Sequence, residues 1–211
     1  MGKSVTDLMR ASKVVPVIVL DKAEDAPPLA RTFLEAGIGS IEITLRTPAG
    51  MEAIRRTIGE VPGIAVGAGT VTTVEELRAL HKIGIGFVVS PGCTPSLIKE
   101  AAALGISYLP GVVTPSELMV AVEAGLSCLK FFPAEPSGGT TMLKALGSVF
   151  PQVAIVPTGG IDTKNAAEYF AVPTVAAVGC SWVAPAKMIA ENAWPAIRER
   201  CAEMLAFAPK R

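Results

Sequence analysis

The chain has 211 residues, of which 50% are hydrophobic and 18% charged, and its 19 lysines and arginines balance 19 aspartates and glutamates. Its mean hydropathy of +0.48 excludes a disordered chain, because disorder goes with few apolar residues and a large net charge. A neutral chain without a basic block also lacks the electrostatic footprint of a nucleic-acid-binding protein.

Signals for a membrane span, secretion or a metal are missing from the sequence. The longest apolar runs, such as residues 14–20, fall far short of the roughly 20 residues that a membrane helix needs. Residues 1–13 have no apolar core followed by a cleavage site, which predicts a cytoplasmic protein. The cysteines are Cys93, Cys128, Cys180 and Cys201, and the single histidine is His81. This scattered set predicts neither a zinc site nor a disulfide framework.

Eight short runs rich in β-branched residues alternate with longer amphipathic segments. The runs lie at residues 14–20, 40–45, 65–70, 86–91, 107–112, 129–132, 153–158 and 175–180. Strands this apolar are covered on both faces, and their alternation with helices is typical of parallel strands joined by helical crossovers.

The predicted helices begin and end with recurring motifs. Four end at a glycine followed by an aliphatic residue, as left-handed C-caps do: Gly37, Gly84, Gly105 and Gly125. Three begin with Thr-Pro, at residues 47–48, 94–95 and 114–115. The pairs Thr73/Glu76 and Thr114/Glu117 match the capping box.

These repeated units predict an α/β fold, a single closed (β/α)8 TIM barrel that spans residues 1–211 as one domain, with a short N-terminal helix near residues 3–12. The alternative is a doubly wound open sheet. Residues 14–25 contain no glycine, so no GxGxxG motif opens the first βα turn, and this disfavours the open sheet.

Charged residues occupy the second predicted strand, near the end where a barrel places its active site. The two-residue period of a strand puts Glu42 and Arg46 on one face, opposite Ile41 and Ile43. Buried charges are costly unless they are paired or used, so Glu42 is a candidate for proton transfer and Arg46 for binding a carboxylate. The alternative is a structural ion pair between the two side chains.

Lys130 lies between Leu129 and Phe131 in another predicted strand. Dry surroundings disfavour an ammonium ion, and a neutral amine can attack a carbonyl carbon to form a Schiff base. The alternative is a lysine that bonds strand-end carbonyls or Glu42.

Two glycine-rich turns follow the last two predicted strands. Gly159 and Gly160 lie in residues 157–162, and Ser181 follows the eighth strand. Barrels often bind phosphate here, because glycine lets backbone N–H groups approach an anion. Thr70, at the end of the third strand, is a candidate to bond an anion beside Arg46. Steric needs of turns and tight packing explain these small residues equally well.

The motifs together closely resemble those of bacterial 2-keto-3-deoxy-6-phosphogluconate (KDPG) aldolases, which are often also 4-hydroxy-2-oxoglutarate (KHG) aldolases. The similar strings are VVPVIV, IEITLRT, VGAGTV, SPG, LPG, LKFFPAE, PTGG and GCSW, in this order. E-x-T-L-R and K-F-F-P-A-E are the most specific of them.

The resemblance implies a metal-independent class I aldolase of the Entner–Doudoroff pathway, without a cofactor and commonly a homotrimer. It would cleave KDPG to pyruvate and D-glyceraldehyde 3-phosphate, and KHG to pyruvate and glyoxylate. It implies Lys130 as the Schiff-base lysine, Glu42 as the acid/base, Arg46 and Thr70 at the carboxylate, Gly159, Gly160 and Ser181 at the phosphate, and Pro91 and Phe132 as pocket lining.

Two other interpretations are consistent with the residues alone. One is a phosphosugar epimerase or decarboxylase on a similar barrel, which would use Glu42 and Lys130 without a covalent intermediate. The other is a non-catalytic barrel that binds a phosphorylated metabolite, in which the polar strand residues are structural pairs.

Overall fold

A computed structural model describes residues 4–209 of the chain. The strands are β1 (Val14–Ile18), β2 (Ser40–Thr44), β3 (Ala65–Gly69), β4 (Phe87–Val89), β5 (Tyr108–Leu109), β6 (Gly111–Val112), β7 (Cys128–Phe131), β8 (Ala154–Pro157) and β9 (Val178–Cys180). The helices are α1 (Val5–Ser12), α2 (Ala26–Glu35), α3 (Gly50–Glu60), α4 (Val74–Lys82), α5 (Pro95–Leu104), α6 (Pro115–Glu123), α7 (Gly139–Val149), α8 (Ala166–Phe170), α9 (Ala186–Ala190) and α10 (Trp194–Ala206).

All the paired strands run parallel within residues 4–209, and they form two sheets. Six strands form a curled sheet in the order β5-β4-β3-β2-β1-β9, and three form a second sheet in the order β6-β7-β8. The α/β class follows from the sequence as predicted. The predicted closed eight-stranded TIM barrel is wrong, because the strands do not form one continuous hydrogen-bonded ring.

Two local features interrupt the ring. Pro110 has no N–H group, so the run 107–112 divides into β5, which pairs with β4, and β6, which pairs with β7. At the other junction, β8 pairs with the segment before β9: Ile155 N–H donates to Thr174 O over 2.8 Å. Isolated bridges at Ile155–Val175 and Thr158–Gly179 replace a β8–β9 ladder there.

Buried side chains cover both faces of the curled sheets. Ile43 belongs to the large apolar cluster between the strands and the helices. Phe87 belongs to a smaller cluster on the inner face, which Met9 of α1 also joins. Phe87 and Met9 border the same small space as Glu42 and Lys130. The charged pair therefore projects into an otherwise apolar layer.

Most of the predicted helix boundaries are confirmed. Both capping boxes form, at Thr73/Glu76 and at Thr114/Glu117. The four predicted C-cap glycines have positive φ, between 65° and 85°. Helix α3 is an exception: it begins at Gly50, because residues 45–49 form turns after β2. The N-terminal helix begins at Val5, and Lys3, where its start was predicted, lies outside the described residues.

None of the helices between residues 4 and 209 has the length and hydropathy that crossing a bilayer requires.

Candidate active site

Glu42 on β2 and Lys130 on β7 meet on the inner face of the sheets. Lys130 Nζ donates a hydrogen bond of 3.1 Å to Glu42 Oε1. Both side chains are almost fully buried, with 5% and 4% of their surface exposed. A charge buried this deeply without its partner is destabilising by about 3–5 kcal/mol. The pairing therefore stabilises the folded chain and also places a carboxylate beside the lysine nitrogen.

Glycine on the neighbouring strand makes room for the carboxylate. A Cβ atom added to Gly69 would lie 2.2 Å from Glu42 Oε1. Gly67 has a different neighbour, since its Cβ would overlap the ring of Phe87. The small residues at the end of β3 are thus explained by packing, against the ring at one position and against the carboxylate at the other.

The buried pair can exchange a proton over its 3.1 Å contact. An apolar environment favours two neutral groups over two charges, and transfer from the ammonium to the carboxylate produces an amine with a free lone pair. The ring of Phe132, whose centroid lies 5.0 Å from Lys130 Nζ, stabilises the charged form. The lysine nitrogen thus has a carboxylate and an aromatic ring beside it.

Arg46 lies at the rim, exposed in the turn after β2. Its Nε donates to Thr70 Oγ1 over 3.1 Å, whereas Glu42 pairs with Lys130. The described residues therefore do not form the alternative ion pair between Glu42 and Arg46. Thr70 has φ of 61°, a strained value for a β-branched residue, and this backbone bend turns its hydroxyl toward Arg46.

A cavity of about 150 Å³ opens beside Arg46. Its lining is Val17, Val19, Arg46, Phe132, Thr158, Gly159, Gly160, Ile161, Gly179 and Ser181. Thr158 also borders the small space around Glu42 and Lys130. The cavity is thus lined by a guanidinium and a glycine-rich turn, and it shares Thr158 with the space around the buried pair.

The glycine turn has a backbone that other residues adopt poorly. Gly159 and Gly160 have φ of 109° and 79°. Backbone hydrogen bonds within residues 4–209 leave the N–H groups of both glycines without a carbonyl acceptor. Two such donors in residues that line a cavity suit an anion.

The turn that carries Ser181 is held from the C-terminal helix. Arg200 of α10 donates to the carbonyl of Trp182 over 2.8 Å, and its guanidinium stacks 4.6 Å from the ring centroid of the same residue. This contact fixes the backbone directly after Ser181.

Pro91 lies apart from the residues above. It follows β4, is exposed, and does not border the 150 Å³ cavity among the described residues. Its carbonyl oxygen would lie 2.2 Å from a Cβ at Gly111. Its backbone therefore packs closely against Gly111 of β6, which is the register partner of Lys130 on β7.

The cysteines are poor nucleophiles at neutral pH. Burial raises the pKa of Cys128 to about 12, that of Cys180 to about 11 and that of Cys201 to about 12. All four described thiols, including half-buried Cys93, are free. A thiol reacts as its thiolate, so these values leave Lys130 as the better candidate nucleophile. Within residues 4–209, no three His, Cys, Asp or Glu side chains converge where they could hold a metal ion.

Comparison with known proteins decides the family. The profile described as "Aldolase: KDPG and KHG aldolase" matches residues 5–200. The chain belongs to this family. The resemblance drawn from the sequence motifs is confirmed, and so is the predicted enzyme class, an aldolase.

Relatives of the aldolase match it over nearly its whole length. The 2-dehydro-3-deoxy-phosphogluconate aldolase of Pseudoalteromonas atlantica is 40% identical over 202 residues, which cover 96% of this chain and 94% of the relative. The KHG/KDPG aldolase of Escherichia coli is 42% identical over 183 residues, or 87% of this chain and 86% of the relative. The KDPG aldolase of Legionella pneumophila, solved with pyruvate captured as a covalent carbinolamine, has a TM-score of 0.93 at 41% identity and covers 98% and 99% of the two chains.

Thr158 of this aldolase is not among the site residues that the sequence predicts. Its side chain is 6% exposed, and it is the residue that links the cavity to the buried pair. A signal was present, because Thr158 is a polar residue at the end of a predicted strand, directly before Gly159. Val17 and Val19 also line the cavity, and nothing in the sequence distinguishes them from core valines.

Proposed function

We propose that this aldolase cleaves KDPG to pyruvate and D-glyceraldehyde 3-phosphate through a Schiff base on Lys130. The observation that carries the proposal is the buried contact of 3.1 Å between Lys130 Nζ and Glu42 Oε1 beside the cavity. KHG is the second candidate substrate, because the matching family profile includes KHG aldolases.

Lys130 starts the reaction as a neutral amine, after its proton has moved to Glu42 over their 3.1 Å contact. Nζ attacks the C2 ketone and forms a carbinolamine. Glu42, now protonated, donates to the carbinolamine hydroxyl, which leaves as water and yields an iminium ion. The iminium is the electron acceptor for the next step.

Glu42 is then a carboxylate again and removes the proton of the C4 hydroxyl. The C3–C4 bond breaks, its electron pair enters the iminium to form an enamine, and the aldehyde leaves. Glu42 returns the proton to C3, and water hydrolyses the imine to release pyruvate and Lys130. The same residue serves as base and acid because every proton that it takes is given back.

Arg46 and Thr70 bind the substrate carboxylate in this proposal. The hydrogen bond of 3.1 Å from Arg46 Nε to Thr70 Oγ1 fixes the guanidinium at the rim of the cavity. Its terminal N–H groups then bind the carboxylate in the bidentate geometry that arginine favours. Held there, the acid end of the substrate places C2 toward Lys130.

The phosphate binds at Gly159, Gly160 and Ser181, which line the same cavity as Arg46. Support comes from the two unused glycine N–H groups and from the serine hydroxyl. Phe132 lines the pocket between the two ends, and Pro91 supports the wall at β4. No metal and no cofactor are needed for these steps.

We also propose a cytoplasmic homotrimer, on the strength of the resemblance to the KDPG and KHG aldolase family. Light scattering after size exclusion tests the oligomer, and a monomer would contradict it.

A coupled assay of pyruvate formation tests the activity directly. Purified protein should release pyruvate from KDPG, and Lys130→Ala should abolish this while leaving a folded chain. Lys99→Ala, a change on the exposed face of α5, is the control and should keep full activity. Pyruvate release by Lys130→Ala at the rate of the unmodified protein would refute the proposal.

A further inference from the structure

The turn after β7 and the glycine turn after β8 are bonded side by side. Ala134 N–H donates to Thr158 O over 2.8 Å, and Glu135 N–H donates to Gly159 O over 3.1 Å. A Cβ at Gly160 would lie 2.7 Å from Glu135 Cγ. The position of the glycine turn therefore depends on where the backbone and side chain of Glu135 lie.

Tyr169 of α8 fixes that side chain from the protein interior. Its hydroxyl donates to Glu135 Oε1, and the tyrosine is fully buried, whereas Glu135 lies in an exposed segment. A Cβ at Gly139 would lie 3.2 Å from Glu135 Oε1 and 3.4 Å from the tyrosine oxygen. The carboxylate thus lies against Tyr169 and Gly139, and Cβ and Cγ of the same side chain lie against Gly160.

The Tyr169 hydroxyl remains a hydrogen-bond donor to Glu135 at neutral pH. Burial, and then the neighbouring Glu135, raise the pKa of the Tyr169 hydroxyl well above its ordinary value. The hydroxyl stays protonated over the whole range in which an enzyme is assayed. On its other side the glycine turn is bonded by Asn165, whose Nδ2 donates to Gly160 O over 2.9 Å.

We propose that Tyr169 and Glu135 are positioning residues that hold the Gly159–Gly160 turn in the shape that receives the substrate phosphate. The inference rests on the proposed function, because it assigns the phosphate to this turn. Neither side chain borders the cavity among the described residues, so both act through the backbone of the turn rather than by touching substrate.

Removing the hydrogen bond between Tyr169 and Glu135 should weaken binding of the phosphate and leave the chemistry at Lys130 intact. A hydrogen bond to a charged group contributes enough that Tyr169→Phe should raise the KM for KDPG about tenfold, with kcat within about twofold. The inhibition constant of inorganic phosphate should rise with the KM. The rate at which pyruvate and borohydride label Lys130 should not change, since pyruvate carries no phosphate.

Variants of Glu135 test the same hydrogen bond even if Tyr169→Phe does not fold. Glu135→Ala should raise the KM similarly, and the double variant should be no worse than either single one, because the two residues act through one bond. Glu135→Gln keeps an acceptor and should restore the KM to within about twofold of the unmodified protein.

The matched control removes the other buried tyrosine hydroxyl. Tyr108 bonds Ser90 Oγ at 2.6 Å on β5, away from the glycine turn, so Tyr108→Phe should leave the KM unchanged. If Tyr169→Phe keeps the KM, or loses pyruvate labelling as much as KDPG affinity, the inference is overturned. If inorganic phosphate does not compete with KDPG in the unmodified protein, the proposed phosphate site fails first, and the inference fails with it.

Discussion

Gly69→Ala adds one methyl group next to the reacting pair. The new Cβ would lie 2.2 Å from Glu42 Oε1, where ordinary contacts begin at 3.4 Å. The carboxylate oxygen must therefore retreat by about 1.2 Å, which is enough to break its hydrogen bond of 3.1 Å to Lys130. Gly69 does not have a positive φ, so alanine strains no backbone and the effect comes from the methyl group alone.

A displacement of about 1 Å at a reacting group can lower the rate about 100-fold. We expect kcat for pyruvate formation from KDPG to fall by about this factor, with the free energy of unfolding reduced by about 1–3 kcal/mol for overpacking. The assay couples pyruvate release to NADH oxidation, and urea unfolding gives the stability. Gly39→Ala is the matched control, because a Cβ at Gly39 meets nothing within 4 Å. Full activity in Gly69→Ala would refute the placement of Glu42 as the proton carrier.

Three further predictions concern stability and reactivity. Lys130→Met should reduce the free energy of unfolding by about 3 kcal/mol at neutral pH, because it leaves Glu42 buried without its partner. The double variant Lys130→Met/Glu42→Leu should recover most of this loss. Urea unfolding measures both, and a Lys130→Met variant as stable as the unmodified protein would contradict the pairing. Burial raises the pKa of Glu117, but hydrogen bonds from the N–H groups of Thr114 and Val113 outweigh it and lower the pKa below 4.5. The stabilisation by the Glu117 carboxylate is thus present above the pKa of the unfolded chain and is lost as the pH falls through the pKa of the folded chain. Glu117→Ala should therefore lower the free energy of unfolding by about 1 kcal/mol at neutral pH and by little in strong acid. Thermal melts at the two pH values measure the difference. Iodoacetamide at neutral pH should label the folded protein slowly and chiefly at Cys93, and fast labelling of Cys128 in the mass spectrum would contradict its burial.

The meeting of Glu42 and Lys130 could be anticipated from the sequence because it depends on local rules. Alternation along a strand sends both side chains to one face, and parallel strands bring their carboxyl ends to one edge. The caps at Thr73 and Thr114 were predictable for the same reason, since a capping box involves residues only three apart. Arg46 was placed less well: β2 ends at Thr44, so strand alternation does not extend to residue 46, which lies exposed at the rim.

Closure of the sheet could not be derived by counting strands. Eight apolar runs are compatible with a ring, but a ring also needs an unbroken ladder at every junction. Pro110 removes one donor, and the chain before β9 takes over the pairing of β8. The effect of Pro110 is local and can be read from the sequence, whereas the pairing of β8 is a matter of long-range register, which the apolar pattern of single strands does not encode.

In the proposed reaction Lys130 forms the covalent link with the substrate ketone. The most direct test is to incubate the protein with pyruvate and sodium borohydride, digest it, and map the added mass by tandem mass spectrometry. We predict one stable adduct on the peptide that contains Lys130, and none in Lys130→Ala. An adduct on another lysine, or an unmodified Lys130 in protein that still cleaves KDPG, would contradict it.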